Sequence, residues 1–406
     1  MRYGLIGKTL SHSYSKVIHG FLGNGEYELI ELRPDEVADF LRGTAFRGIN
    51  VTIPYKETVM PYCELDDAAR KIGSVNTIVN EGGTLRGYNT DYFGFSYMAK
   101  SAGIAFEGKK VLILGSGGTS KTAACVARDC GAREVVVVSR GGEDNYGNIG
   151  RHADSDVLVN TTPVGMYPNG GQSPVSLNAF ANLSAAIDVV YNPLRTRLML
   201  DARELGIATA NGLAMLVAQA LRAHCLFFGI EPDEAADDEK IRKVLSKTEK
   251  LFSNIVLIGM PGCGKTSVGK KLAKLLDMDF ADTDSIVEDA SGRKIPDIIR
   301  NDGEPRFREL ECAAVAQVAA RARQVIATGG GSVLAKENRD ALSQNGTIVF
   351  LERDLGSLAT EGRPLSADLQ AMYQQRQPVY EALCHHKIRN DGGLQETARK
   401  LALLLG

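Results

Sequence analysis

A chain of 406 residues is longer than one hydrophobic core organises, so two or three domains are expected. A net charge of −2 with no basic block offers nothing for nucleic acid to hold, and no acidic tail marks disorder. The opening Met-Arg-Tyr-Gly-Leu-Ile-Gly is too short and too broken by glycine for a secretory signal, and no apolar run spans a membrane. Cys63, Cys125, Cys130, Cys225, Cys263, Cys312 and Cys384 form no C-x-x-C pair and have no histidine at ligand spacing. That fits buried thiols of a reducing cytoplasm rather than disulfides or a metal centre.

Residues 1–100 alternate helical segments with short apolar strands at 3–6, 27–31, 48–51 and 77–79. Polar groups gather where these strands end. Ser11-His-Ser13-Tyr-Ser15 follows the first, and Asn50-Val-Thr52-Ile-Pro-Tyr-Lys56-Glu57 follows another. Ser74-Val-Asn76-Thr77 and Gly87-Tyr-Asn89-Thr90-Asp91 bracket a hairpin. Hydroxyls, amides, one lysine and one aspartate converging on a cleft suit a polyhydroxylated ligand. A Lys–carboxylate pair there could move a proton while hydride leaves the same carbon. Each block also has a plainer reading: serines as helix caps, Lys56 as a surface charge, Asp91 as the cap of a helix over 91–102.

A strand at 109–114, the turn Gly115-Ser116-Gly117-Gly118, a helix over 119–130 and a strand at 134–138 make a β-turn-α-β unit, the start of a doubly wound nucleotide domain. Its strand ends in Ser139-Arg140 where an acid would accept hydrogen bonds from ribose hydroxyls. Arginine there suits a 2′-phosphate, hence NADP over NAD. Further strands are expected at 156–159 and 186–190, then an amphipathic helix over 212–228 and a charged helix over 237–246. The stretch 246–253 is polar, without a strong pattern, and is expected to be a linker.

Across 1–247 the chain resembles the shikimate dehydrogenase family, in the blocks GKTLSHSYS, NVTIPYKE, SVNT, GYNTDYFG, GSGGTS, VNTTPVGM, DVVYNPLRT and NGLAMLVAQA. The resemblance implies that Ser13, Ser15, Thr52, Asn76, Asp91 and Gln219 hold the carboxylate and hydroxyls of shikimate. It implies Lys56 and Asp91 as the catalytic pair, with Asn160, Thr161, Met166 and Tyr191 bordering nicotinamide and substrate. Gly115, Ser116, Gly117, Gly118, Thr119, Ser139 and Arg140 would hold NADP(H). The chain departs from the family between Arg140 and the strand at 156, a stretch too short for the usual helix, strand and helix, so the adenosine side is expected to be trimmed.

The second half begins on an apolar run, 255–258, followed by Gly259-Met-Pro-Gly262-Cys263-Gly264-Lys265-Thr266, which matches G-x-x-x-x-G-K-[ST] at every fixed position. A helix over 267–276 with Val268, Leu272 and Leu275 on one side is expected next. Glycines turn backbone N–H groups around a phosphate chain, Lys265 reaches the terminal phosphates, and the Thr266 hydroxyl can ligate Mg²⁺. Asp282 and Asp284 are expected at the end of a strand, pointing to one face and suiting one Mg²⁺ and one substrate hydroxyl. Asp302 opens a helix carrying Arg306 and Arg308, Gly329-Gly330-Gly331 ends a strand, Gly362-Arg363-Pro364-Leu365 resembles a mobile lid, and Arg376 follows a helical turn. Arginines facing a cleft suit an acidic small molecule, although Arg306 suits an exposed helix face better.

Residues 252–406 resemble the shikimate kinase family in GMPGCGKT, DFADTD, DGEPRFRELE, ATGGG, GRPL and RQPVY. The resemblance implies ATP phosphates on Gly262, Cys263, Gly264, Lys265 and Thr266, with Mg²⁺ on Thr266 and Asp282. Asp284 would hold and orient or deprotonate the 3-hydroxyl of shikimate. Arg308, Arg376, Gly329, Gly330 and Gly331 would clasp its carboxylate and ring hydroxyls, and Arg363 would meet the transferring phosphoryl group. The short stretch 352–362 leaves no evident basic residue to stack on adenine.

The expected fold is thus α/β: a two-subdomain dehydrogenase with a Rossmann-like NADP domain, then a P-loop kinase domain. Substrate-binding residues 1–98 would be completed by helices within 211–247, with the NADP domain at 99–210, a linker at 248–253 and the kinase at 254–406. Partners would be small molecules, with neither nucleic acid nor membrane. A first half of broader quinate/shikimate specificity, or a retired one that only senses ligand, are the rival readings. Keeping Lys56, Asp91, Lys265 and Asp284 argues against retirement, because a sensor needs no proton-transfer pair.

Overall fold

The structure is a computed structural model in which residues 2–11, 13–43, 45–358, 369–391 and 393–406 are described. The chain forms two compact units. One comprises Met1–Met166, Gln172–Tyr191 and Leu198–Glu249; the other comprises Tyr167–Gly171, Asn192–Arg197 and Lys250–Gly406. Among the described residues no helix is long and apolar enough to cross a membrane.

The first unit opens with a six-stranded mixed sheet of β1 (Tyr3–Gly7), β2 (Tyr27–Glu31), β3 (Gly48–Val51), β4 (Glu64–Leu65), β5 (Thr77–Glu81) and β6 (Thr84–Tyr88), in the order β2-β1-β3-β5-β6-β4. The β5–β6 hairpin turns on Gly82 and Gly83, whose φ values of +63° and +104° are those glycine adopts without a steric cost. Helices α1 (Ser15–Phe21), α2 (Val37–Gly43), α3 (Asp67–Ile72) and α4 (Asp91–Ser101) accompany the sheet.

A five-stranded, all-parallel sheet follows. It contains β7 (Lys110–Leu114), β8 (Glu134–Val138), β9 (Val157–Asn160), β10 (Ala185–Asp188) and β11 (Ala208–Asn211), in the order β11-β10-β9-β7-β8. Helix α5 (Gly118–Asp129) crosses over after β7, and α6 (Arg197–Glu204), α7 (Gly212–Phe228) and α8 (Glu234–Phe252) complete the run. Among the described residues no strand pairs outside β8: the segment 139–156 holds only a short 3₁₀ turn, Ile149–His152, so β8 is the sheet edge. The supposed linker is helical through residue 252. Ile241, Val244, Thr248 and Phe252 are buried at helical spacing, a stripe hidden by the lysines and glutamates between them.

The second unit holds another all-parallel sheet, β13-β14-β12-β15-β16, with β12 (Asn254–Ile258) at its centre. The others are β13 (Asp279–Asp282), β14 (Gln324–Ala327), β15 (Gly346–Glu352) and β16 (His386–Arg389). Both faces of a parallel sheet are covered, so β12, Asn-Ile-Val-Leu-Ile, is buried at every residue. Its helices are α9 (Lys265–Leu276), α10 (Thr283–Ser291), α11 (Ile295–Ala319), α12 (Lys336–Asn345), α13 (Leu369–Leu383) and α14 (Leu394–Leu405).

Three local expectations are corrected and one is met. Leu275 is 44% exposed, because the buried row of α9 runs Val268–Leu272 and on to Leu276, at i, i+4 and i+8. Asp284 is not on the strand: β13 stops at Asp282, whose carboxylate caps α10 by accepting the Asp284 and Ser285 N–H groups. Arg376 to Tyr380 lie inside α13, Pro378 included, rather than after a helical turn. The stretch from Asp302 does open a helix: α11 is two helices joined across a kink at Gly303 (φ +84°), and the second, with Pro305 near its start, carries Arg306 and Arg308.

Candidate active sites

In the first unit the ends of β3, β5 and β6 are tied together under the cleft. Tyr27 donates its hydroxyl to Asn50 Oδ1 at 2.7 Å, and Asn50 Nδ2 donates to Thr77 Oγ1 at 2.9 Å. Asn76 Oδ1 accepts the Thr90 N–H at 2.7 Å, while its Nδ2 donates to Thr90 Oγ1 at 3.1 Å. Thr90 reaches Gln219 Oε1 on α7 at 3.4 Å. All but Gln219 are buried, so the network is satisfied internally and rigid.

Above this floor Lys56 Nζ donates to Asp91 Oδ2 at 2.5 Å, 35 residues apart in sequence. Asp91 opens α4 without capping it; the carboxylate faces the lysine instead. The Val75 N–H, donating to the Lys56 carbonyl at 2.8 Å, pins the lysine's segment to the floor. Thr52 joins it through its N–H to the Ile6 carbonyl. The half-buried serines flank the start of α1: Ser13 lies in the loop before it, and its Oγ accepts the N–H of Ser15, the first residue of the helix. Tyr14 between them meets Tyr191 edge-on, ring centroids 6.4 Å apart, which brings the serine loop against the chain leaving β10. Lys56, Asp91, Asn76 and Gln219 therefore share one framework, with the Ser13–Ser15 loop beside Tyr191. The support Tyr27 was not singled out in the sequence, because its partner Asn50 is 23 positions away; Thr77 stood in the expected polar block, but its bond to Asn50, 27 positions away, was not foreseen.

The residues fit a dinucleotide. Gly115 (φ +105°) approaches so closely that a Cβ would lie 2.8 Å from Thr161 Oγ1. Over Gly117 and Gly118 there is open space, and α5 begins with no side-chain cap, leaving N–H groups free for phosphate oxygens. Ser116 is exposed and Thr119 half-buried on that turn. Gly115 N–H donates to the Val138 carbonyl at 2.8 Å, setting Ser139 and Arg140 beside the glycine turn. Asn160 is fully buried on Asp188 Oδ1 at 3.0 Å, so it orients the loop and does not face a ligand, whereas Met166 is 46% exposed.

In the second unit a cavity of about 670 Å³ is lined by the phosphate loop, Asp282, Asp284, Arg308, the three glycines and Arg376. Gly262 and Gly264 (φ +82° and +101°) bend the loop, and α9 starts uncapped. Lys265, 8% exposed, donates to the carbonyls of Gly259 and Met260 at 2.8 and 3.0 Å. The Thr266 hydroxyl donates to Asp282 Oδ2 at 2.6 Å. Cys263 is buried behind the loop and offers only its backbone.

Burial raises the Asp284 carboxyl to about 6, with neighbouring Asp282 adding to the shift and Lys265 opposing it. The triple glycine has a steric cause. A Cβ on Gly329 would lie 2.7 Å from Asp284 Oδ1, on Gly330 2.6 Å from Pro261, and on Gly331 2.8 Å from Arg308 Nη1. Arg308 donates to Glu304 Oε1 and to Glu311 Oε2, the latter at 2.8 Å. Arg376 is buried with its Nε lacking a partner among the described residues, as a cation awaiting an acceptor would be. Arg363 lies outside the described residues. Two residues were missed in the sequence: Arg353 in the cavity wall, and Glu311, 1% exposed, which accepts from Arg308 and from Ser332 Oγ at 2.5 Å. Glu311's i, i+3 spacing from Arg308 was the available signal.

Residues 5–78 match the family model of the shikimate dehydrogenase substrate binding domain. A shikimate dehydrogenase (NADP(+)) of Clostridium perfringens is 37% identical over 259 residues, 58% of this chain and 96% of that protein. The chain belongs to the shikimate dehydrogenase family. A solved chorismate mutase/shikimate 5-dehydrogenase fusion protein from Clostridium acetobutylicum is 36% identical at a TM-score of 0.56, covering 60% of this chain and 97% of that one. The Thermus thermophilus shikimate 5-dehydrogenase, solved in complex with NADP(H) and shikimate, gives 32% and 0.54, covering 60% and 99%. Residues 261–405 match the shikimate kinase model. Beyond its dehydrogenase part this member of the family thus carries a shikimate kinase domain. It is a bifunctional shikimate-pathway enzyme, oxidoreductase and phosphotransferase in one polypeptide.

Proposed function

We propose that the first unit reduces 3-dehydroshikimate to shikimate with NADPH, and that the second phosphorylates shikimate at its 3-hydroxyl with ATP and Mg²⁺. The 2.5 Å Lys56–Asp91 pair carries the first half of this reading. When bound, the dinucleotide supplies hydride to the carbonyl carbon. Lys56 gives the proton to the forming alkoxide, and Asp91 holds that lysine in place and orients the neighbouring hydroxyl. Ser13 and Ser15 take the substrate carboxylate, while Thr52, Asn76 and Gln219 take hydroxyls, with Tyr191 closing the far side. Asn76 has one Nδ2 hydrogen to spare after its bond to Thr90.

In the kinase, Asp284 accepts the proton of the substrate hydroxyl while Arg308 and Arg376 hold the carboxylate. Lys265 leaves the loop carbonyls for the terminal phosphates, and Arg363 completes the charge neutralisation. Among the described residues no three His, Cys, Asp or Glu side chains converge on a metal. Thr266 and Asp282 with nucleotide oxygens would therefore hold Mg²⁺, in the usual manner of a cation that keeps much of its own water. We place the dehydrogenase substrate-binding residues at 1–98 with helices in 211–247, the NADP domain at 99–210, and the kinase at 254–406. The test supplies 3-dehydroshikimate with NADPH, ATP, both or neither. Shikimate is expected with NADPH alone, and shikimate 3-phosphate only with both. No product with either nucleotide sinks the reading, and faster turnover of quinate than of shikimate with NADP⁺ would replace its first half.

A further inference from the structure

The segment between β8 and β9 carries two side chains that the reaction does not use, Asp144 and His152. His152 is 9% exposed; its Nε2 lies 2.8 Å from Asp144 Oδ1, and its Nδ1 is buried with no partner among the described residues. The Asp144 carbonyl accepts the Ser139 N–H at 3.0 Å, so the residue whose carboxylate faces His152 also closes the turn that bears Arg140. The turn is stiff. Asn148 Nδ2 donates to the Glu143 carbonyl at 2.8 Å, and Asn148 Oδ1 accepts the Asn145 N–H at 2.8 Å. Tyr146 and Ile149 anchor it by packing on the core beneath β7 and β8. Arg140 is exposed and has no hydrogen-bond or ion-pair partner among the described residues.

An acid at the end of this strand in a nucleotide sheet selects a ribose with two free hydroxyls, and an unpaired arginine selects a 2′-phosphate. The trimmed turn contains Arg140 and two acids, the exposed Glu143 and, four positions from the arginine, Asp144. The exposed Glu143 makes no ion pair with Arg140, but Asp144 is tied through its carbonyl to the Ser139 N–H beside Arg140, so its carboxylate, released from His152, would pair with the arginine and repel the phosphate. We propose that His152 holds the Asp144 carboxylate away from Arg140 and thereby sets the nucleotide site's preference for a ribose 2′-phosphate over a ribose 2′-hydroxyl. Both are positioning residues, acting through Arg140. The proposal rests on the NADP reading of the Gly115 turn and adds what makes it selective.

The test is equilibrium titration of the full chain with NADPH and with NADH, followed by nucleotide fluorescence, beside kcat at saturating nucleotide. His152→Ala is expected to weaken NADPH by about tenfold, the scale of one charged hydrogen bond, while NADH stays within about twofold. Kcat at saturation should hold. Adding Asp144→Asn to His152→Ala should restore NADPH, because the competing charge is gone. Equal weakening of both nucleotides in the single variant, or no recovery in the double, overturns the proposal. Asp144→Asn alone keeps a polar partner for His152 and should bind NADPH as well as the parent or better; lost selectivity there overturns it too. A parent chain that binds neither nucleotide overturns the NADP reading itself.

Discussion

The two phosphate turns, Gly115–Gly118 after β7 and Gly259–Thr266 after β12, solve related problems with different chemistry. Both follow a buried parallel strand and open an uncapped helix, so both offer backbone N–H groups and a helix N-terminus. The first adds no cation on the turn itself and leaves open space over Gly117 and Gly118. The second brings a buried lysine and a hydroxyl held on an aspartate. A dinucleotide's phosphates only need holding, because reaction occurs at the far ring. A transferred phosphoryl group develops charge where it is held, and that charge must be met. The contrast extends to the catalytic carboxylates: Asp91 accepts a hydrogen bond from Lys56 at 2.5 Å, whereas Asp284 is raised to about 6 by burial and by a second acid.

The sharpest break is a pair of lysine substitutions. Lys265→Ala should lower phosphoryl transfer by about 10³-fold and leave NADPH oxidation unchanged. Lys56→Ala should lower the dehydrogenase by about 10²–10⁴-fold with the kinase intact. Parallel assays check both, and loss of both activities in either variant would contradict separate machinery.

Glycine substitutions come next. Gly330→Ala places a methyl 2.6 Å from Pro261 in the phosphate loop, and Gly115→Ala places one 2.8 Å from Thr161 Oγ1 in a left-handed conformation. Each should cost roughly 1–3 kcal/mol of stability, read in urea unfolding, and each should lose its own unit's nucleotide binding.

The carboxylates differ in their pH dependence. Below about 6 Asp284 is protonated in the free enzyme and cannot accept a proton, so kinase kcat/KM should rise as pH increases through about 6. The raised value means the folded state holds the proton that the unfolded chain releases near 4. Stability contributed by Asp284 therefore falls as pH increases from about 4 to about 6 and stays lost above. Asp284→Asn should abolish the kinase yet raise the melting temperature at pH 7.5 by roughly 2–4 °C. A lower melting temperature would contradict the desolvation account.

The smallest effect is expected from Asn50→Ala. It leaves Tyr27 and Thr77 with unmet buried bonds, costing about 1–3 kcal/mol in unfolding, and loosens Asn76 enough to raise the shikimate KM a few-fold.

Much of this was legible in the chain. The β7–α5–β8 and β12–α9 units follow from apolar runs, glycine turns and helical periodicity, all contained within about 30 residues. What failed was also local. Residues 246–253 looked patternless because the exposed Ser246, Lys247, Glu249 and Lys250 outnumber the buried Thr248 and Phe252. Asp284 looked like a strand residue until the Asp282 carboxylate was seen accepting its N–H as the cap of α10. Arg353 drew no attention because nothing beside it in sequence marks the cavity it lines, and Glu311 because its i, i+3 spacing from Arg308 reads equally as an ordinary ion pair on a helix surface.

The sequence by itself determined the strands, the phosphate turns and the residue types available for chemistry, because backbone conformation and side-chain inventory are set by near neighbours. Only the tertiary structure decided which groups meet: Lys56 with Asp91, Asn50 with Thr77, Asp144 with His152, Arg308 with Glu311. It also decided the protonation of Asp284, whose shift comes first from removal of water by surrounding segments, a quantity no stretch of chain possesses alone.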